Sequence, residues 1–196
     1  MLKWKGRVQV KMNLIKLLFL FVSVTYCEAD WLTKSGDHEG GFFRVGLWGA
    51  PVASSSTTLP AGEKIELGGM GSMARIQIGW SIVPRVALHV NLIDIFANND
   101  TAGMQGFTWG PGITVYAPVG NLFVTGVYGF SLVNYDGDKN GQGNQWYIGI
   151  GKEFLLSQCN GLGVMATWGS GSWEDSDSHQ KWNESGPGFQ FTWTYN

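Results

Sequence analysis

Residues Met73 to Leu92 read M-A-R-I-Q-I-G-W-S-I-V-P-R-V-A-L-H-V-N-L, and the alternation within them decides the fold. Ala74, Ile76, Ile78, Trp80 and Ile82 alternate with Arg75, Gln77, Gly79 and Ser81; beyond Val83-Pro84, Val86, Leu88, Val90 and Leu92 alternate with Ala87, His89 and Asn91. A period of two on both sides of a proline-containing turn predicts a β-hairpin. Each arm is about ten residues long, the length a tilted strand needs to cross a bilayer. One face is apolar and the other carries Arg, Gln, His and Asn. The reading therefore turns on which face meets which solvent.

The N-terminus is a separate segment. Lys3, Lys5, Arg7, Lys11 and Lys16 precede or flank an apolar run from Leu14 to Val24, and Cys27-Glu28-Ala29 offers small residues for cleavage before Asp30. This pattern predicts a secretory signal peptide over residues 1–29, with Met12 as an alternative start. An uncleaved anchor is the competing reading, but the run is short for a span. A lipoprotein at Cys27 is disfavoured by bulky Tyr26.

Cleavage would remove five of the 13 Lys/Arg and one of the 15 Asp/Glu, leaving 8 and 14 and a net charge of −6. Nucleic acid requires a basic footprint and is excluded as a partner. Cys159 would be the only remaining cysteine, so no internal disulfide is expected even in an oxidising compartment. Glycine, 29 of 196 residues, is about twice the usual ~7% without a collagen period, which suits strands packed around a narrow interior.

After a short polar lead-in over residues 30–41, six further segments behave like the hairpin arms or close the pattern. Phe43, Val45 and Leu47 alternate with Arg44, Gly46 and Trp48 in the first strand. Phe107, Trp109, Ile113 and Val115 alternate with Thr108, Gly110, Gly112 and Thr114. Leu122, Val124, Tyr128, Phe130 and Leu132 face away from Thr125, Val127, Gly129 and Ser131. Trp146, Ile148 and Ile150 oppose Tyr147, Gly149 and Gly151. Leu162, Val164, Ala166 and Trp168 oppose Gly163, Met165, Thr167 and Gly169, and the chain closes on Phe189, Phe191, Trp193 and Tyr195. Counting both hairpin arms gives eight strands. Connections alternate long and short, with long ones at Ser54–Gly69, Asp94–Gln105, Asn134–Asn144 and Ser170–Gly186.

That alternation is the pattern of an outer-membrane barrel with short periplasmic turns and long exterior loops. Ten of the fourteen acidic residues outside the signal segment fall in the four long connections (Glu63, Glu66, Asp94, Asp100, Asp136, Asp138, Glu174, Asp175, Asp177, Glu184), and none on a face assigned to lipid. Trp80, Phe154 and Trp193 fall near the short-turn end; Phe107, Phe130, Trp146, Trp168 and Phe189 fall near the other, as two interfacial girdles require. A β-sandwich core would not place aromatics at both ends of so many strands. The expected fold is an all-β, eight-stranded antiparallel up-and-down transmembrane β-barrel over residues 42–196, in the bacterial outer membrane, with both barrel termini periplasmic.

Several motifs carry a resemblance: G-F-F-R-V-G-L at 41–47, G-G-M-G-S-M-A-R-I-Q-I-G at 68–79 running into I-V-P-R, W-G-P-G-I-T-V-Y at 109–116, I-G-I-G-K-E-F at 148–154, N-G-L-G-V at 160–164 and F-T-W-T-Y-N at 191–196. On these, most of residues 41–196 resembles a family of bacterial outer-membrane β-barrel proteins of largely uncharacterised activity. The resemblance implies fold and location and brings no substrate or catalytic residues. The chain departs from the wider class by ending in Tyr195-Asn196 rather than Phe or Trp.

The candidate site is the lumen-facing polar set Arg44, Arg75, Gln77, His89 and Asn91, from the first three strands. Buried charged and amide groups must pair, so the set reads as a structural polar plug. A lipid-modifying enzyme with His89 as general base is the alternative, but it lacks a neighbouring nucleophile and an orienting carboxylate: Ser81 lies along the barrel and Glu153 on a distant strand. A narrow channel is disfavoured because Trp48, Phe123, Tyr147 and Met165 should fill so small an interior. A soluble lipocalin-like binder is the remaining reading.

Asp136, Asp138 and Asn140 match the opening of a calcium loop, yet the twelfth position is Tyr147 and the flanks are strands, so an ordinary hairpin loop explains them. Gly161-Leu162-Gly163 resembles a dinucleotide fingerprint in letters only, since no helix follows. The sequence leads to a monomeric structural or interaction protein. Its expected partners are outer-membrane lipid and, during biogenesis, the barrel-assembly machinery; it is expected to have no cofactor and no catalytic residue.

Overall fold

The computed structural model describes residues 40–58, 64–98, 103–135, 139–157, 159–176, 179 and 181–195. The signal-peptide and lead-in readings, up to residue 39, lie outside them, as do Asp136 and Asp138 of the calcium-like loop. Eight strands follow in order: β1 (Gly40–Thr58), β2 (Lys64–Val83), β3 (Val86–Asn98), β4 (Gly103–Tyr116), β5 (Leu122–Tyr135), β6 (Lys139–Leu155), β7 (Asn160–Asp175) and β8 (Lys181–Tyr195). Each pairs antiparallel with its neighbour, and β8 pairs with β1 to close the barrel. Closure removes the free sheet edges that an open sheet would expose.

The period-two alternation sorts side chains as the sequence predicts. Ile78 is 58% exposed and Ile150 62%, while Gln77 beside the first is fully buried. Exposed apolar side chains are found on every side of the wall where side chains are described, Ile76, Val90, Ile113, Val124, Ile148, Leu162 and Phe191 among them. Trp80 and Phe154 lie outward near the end with the three short turns, and Phe107, Phe130, Trp146, Trp168 and Phe189 near the opposite, loop end. Trp193 is half-buried on the turn-end side, edge-to-face with Phe43 at 6.2 Å.

The strands continue further than the hydrophobic alternation. β1 runs to Thr58 and β2 starts at Lys64, so most of the segment read as a loop from Ser54 to Gly69 is paired strand; the same is true of Asp94–Gln105, Asn134–Asn144 and Ser170–Gly186. The physical reason is that apolar alternation is required only where one face meets an apolar medium, whereas backbone pairing can continue into water. Asp94, expected in a loop, consequently sits on the outward face of β3 near the loop end, where the Gln105 side chain donates to it at 3.4 Å.

Inward glycines make room for large neighbours. A Cβ on Gly112 would run into the His89 ring, one on Gly151 would come within 2.5 Å of the Phe123 ring, and one on Gly169 within 2.5 Å of Tyr147. Glycine on one strand opposite a bulky residue on the next lets an interior this narrow hold rings and guanidinium groups. At the turn end, Arg85 (φ 71°) follows Pro84, while Gly120 (φ 73°) and Asn121 (φ 50°) turn the chain between β4 and β5.

Candidate functional site in the barrel interior

All five polar residues singled out in the sequence point inward and are buried, Arg44, Gln77 and Asn91 completely. They do not form one cluster. Arg44 and Gln77 belong to a group near the turn end, His89 and Asn91 to a second group on β3–β5, and Arg75 stands apart from both.

Arg44, on β1, is the centre of the first group. Its Nε donates to Thr194 Oγ1 on β8 at 2.9 Å, Nη1 to Gln77 Oε1 on β2 at 3.3 Å, and Nη2 to Glu153 Oε1 on β6 at 2.9 Å. Nη2 also donates to the Tyr116 hydroxyl of β4, and Thr194 Oγ1 donates to Glu153 Oε1. The guanidinium lies 4.6 Å from the centre of the Phe123 ring on β5, an attractive placement of a cation over a π face. Five of the other strands thus supply a contact to one side chain. Glu153, read in the sequence as too distant to matter, forms the ion pair across the lumen with both side chains fully buried. Its inward parity was visible; the stagger of a closed barrel, which brings β6 opposite β1, was not.

The second group is a directional chain of hydrogen bonds. The Asn91 amide donates to His89 Nδ1 at 2.6 Å, leaving Nε2 to donate to Thr114 Oγ1 at 2.9 Å. Thr114 donates to Thr125 Oγ1 at 2.9 Å, and Thr125 to the Ile113 carbonyl at 3.3 Å. Both ring nitrogens of His89 are engaged by neutral groups, and no carboxylate among the described residues orients the ring. Triad-like chemistry needs such an orienting group together with an accessible nucleophile, whereas Thr114 is fully buried.

Arg75 has its Nη1 4.0 Å from Met165 Sδ and its guanidinium 5.7 Å from the Tyr147 ring centre. Its Nε and Nη2 are without hydrogen-bond partners among the described residues. Towards the loop end, Thr108 Oγ1 and the Tyr147 hydroxyl both donate to Gln145 Oε1 at 2.6 Å. Above these lie Met104, Val133 and a stacked pair, Trp173 and Trp182, with ring centres 5.1 Å apart and planes at 4°. The sequence placed Trp173 in an exterior loop; it is instead an inward residue of β7, directly paired with Trp182 of β8. Phe123, Tyr147 and Met165, expected to fill the interior, are each nearly fully buried. No group of His, Cys, Asp and Glu among the described residues is arranged to hold a metal ion.

The architecture has a match among solved structures. Neisserial surface protein A superposes with a TM-score of 0.53 over 80% of this chain and 99% of its own, at 11% identity. The two chains share a fold. Looser likenesses are the attachment invasion locus protein Ail of Yersinia pestis (TM-score 0.45, 9% identity, 79% of this chain and 99% of that one) and the outer membrane protein OprG of Pseudomonas aeruginosa (0.44, 12%, 82% and 97%). No protein-family model and no curated protein matches the chain.

Proposed function

We propose that this chain is an integral outer-membrane barrel with a structural or interaction role, its lumen closed by its own side chains and both termini on the periplasmic side. The observation that carries the reading is the outward belt. Ile78, Trp80, Val90, Ile113, Tyr128, Ile150, Trp168 and Phe191 are exposed around the wall, while Arg44, Arg75, Gln77, His89 and Asn91 are buried inside it. This inversion stabilises a protein whose outside meets hydrocarbon and would be an aggregation hazard in water.

The interior supports the second half of the reading. Arg44 with its partners at the turn end, the His89 chain next to it and the tryptophan stack at the loop end occupy successive levels of the lumen. The arrangement favours a plug over a catalytic centre.

Fractionation tests the membrane assignment. The protein is expected in the outer-membrane fraction, released only by detergent, with a heat-dependent shift in gel mobility. Recovery from a detergent-free periplasmic extract would refute it.

A further inference from the structure

Arg75 differs from Arg44 in that no described carboxylate neutralises it. Its relative exposure is 1%. Nη1 meets only the thioether of Met165 at 4.0 Å, and the guanidinium sits 5.7 Å from the Tyr147 ring centre. Nε and Nη2 have no hydrogen-bond partner among the described residues. These two nitrogens form one edge of the planar fork, the kind of edge that grips an anionic acceptor. Arg44 shows what such an edge takes up: its own Nε and Nη2 donate to Thr194 and Glu153, both at 2.9 Å.

The inward carboxylates are engaged elsewhere. Glu153 is committed to Arg44. Glu184, on β8, hydrogen-bonds the Gln145 side chain, and Asp175 lies at the loop end of β7, paired with Gly141. Two neutral acceptors, Gln190 Oε1 and Asn91 Oδ1, are themselves without partners, but a neutral oxygen can satisfy an N–H and still leave the unit charge. A guanidinium does not shed its proton, so a desolvated arginine without a counter-ion is the costly arrangement. Gln77, the next inward residue on β2, adds a donor. Its Oε1 accepts from Arg44 Nη1, which fixes the amide, and its Nε2 has no partner.

We infer that Arg75, with Gln77, binds a halide-sized monovalent anion, chloride or bromide, inside the lumen. Three N–H-bearing nitrogens without partners lie on one face of β2, with a thioether and an aromatic ring beside the guanidinium. The charges agree with one anion: Arg44 and Glu153 cancel, and neutral groups hold both nitrogens of His89. The site goes beyond the plug proposed above, because it gives the barrel a ligand that its own side chains do not replace and makes its stability depend on that ligand.

The test is urea unfolding of the whole barrel in phosphatidylcholine vesicles, in sodium chloride, sodium bromide or sodium gluconate at equal ionic strength. An anion bound only by the folded barrel stabilises it by mass action, so the urea midpoint is expected to climb with either halide and to stay flat in gluconate. Arg75→Met keeps the stem without the charge. Its midpoint should be independent of halide and, in gluconate, higher than that of the unmodified barrel, since it no longer buries a lone cation. Lys152→Met, which removes a cation from the outer rim, should keep the full halide response. Crystals of the unmodified barrel grown in bromide should show an anomalous peak beside Arg75 Nε and Nη2, a result that does not depend on how Arg75→Met folds. Equal midpoints in chloride and gluconate would overturn the site. So would a halide response that survives Arg75→Met, or an ordered water without anomalous signal at the guanidinium edge. Single-channel steps from the same preparation would refute the closed lumen and leave the halide result standing.

Discussion

Arg44 shows how a single residue can hold an interior together. Its charge is fully desolvated, and the Coulomb attraction of Glu153 with three further hydrogen-bond acceptors offsets that cost. Removing one partner leaves a buried charge uncompensated. Arg44→Met is therefore expected to lower stability by about 3–5 kcal/mol in urea unfolding of the refolded barrel, and Arg44→Met with Glu153→Leu to recover most of that loss. An additive double variant would mean that the two side chains act independently. Gly112 supplies a second case. A Cβ there meets the His89 ring and lies 2.7 Å from the Gly126 carbonyl, and backbone cannot yield. Gly112→Ala should cost about 1–3 kcal/mol in the same assay. At this scale the sequence revealed direction but not partnership: parity put Arg44 and His89 inside, while the residue each one bonds depends on strand stagger. Thr114 and Thr125 carried no signal at all, since threonine on a strand is ordinary.

Strands are the scale at which the sequence was most legible. Within the belt, alternation located each element, as Ile148 and Ile150 in β6 show, because a one-residue slip would turn every inward polar group onto the outward apolar face. Beyond the belt that constraint lapses, and the paired extensions of β1, β2, β7 and β8 carry the composition of loops for that reason. The strand face also sets a depth scale. Ile150 lies outward between the Trp146 level and the Phe154 level, so Ile150→Arg is expected to cost about 2–4 kcal/mol of stability in vesicles, falling to about 0–1 for the same change at Leu122 near the turn-end rim. Lys152 already occupies the rim position on β6, with its ammonium 5.3 Å from the Phe154 ring centre. An equal cost at the two sites would show that depth in the bilayer is not what separates them.

For the whole molecule, the decisive property is that an eight-stranded wall leaves an interior of side-chain dimensions. Rings from Phe123, Tyr147, Trp173 and Trp182 and the guanidinium of Arg44 share it. In planar bilayers the purified barrel is expected to leave conductance at baseline, and discrete single-channel steps from the unmodified protein would contradict a closed lumen. Fold class and inside-out polarity could be read from composition and period together. The tryptophan stack could not, because the residues flanking Trp173 are acidic and serine-rich and carry the composition of a solvated loop.

Seven of the eight ladders join strands that follow one another in the chain; the eighth joins the first to the last, bringing Arg44 against Thr194, 150 positions away. Such a contact cannot form until the final strand has been made and delivered. Loop-closure entropy rises only slowly with length, by about 0.6 kcal/mol per doubling, so the distance itself is a modest obstacle. Timing is the larger one: every earlier state of the chain carries two open edges and an incomplete apolar belt, the features that drive aggregation. A barrel closed by its two extremities therefore has no stable half. Deletion of β8 is expected to yield aggregate rather than a smaller protein.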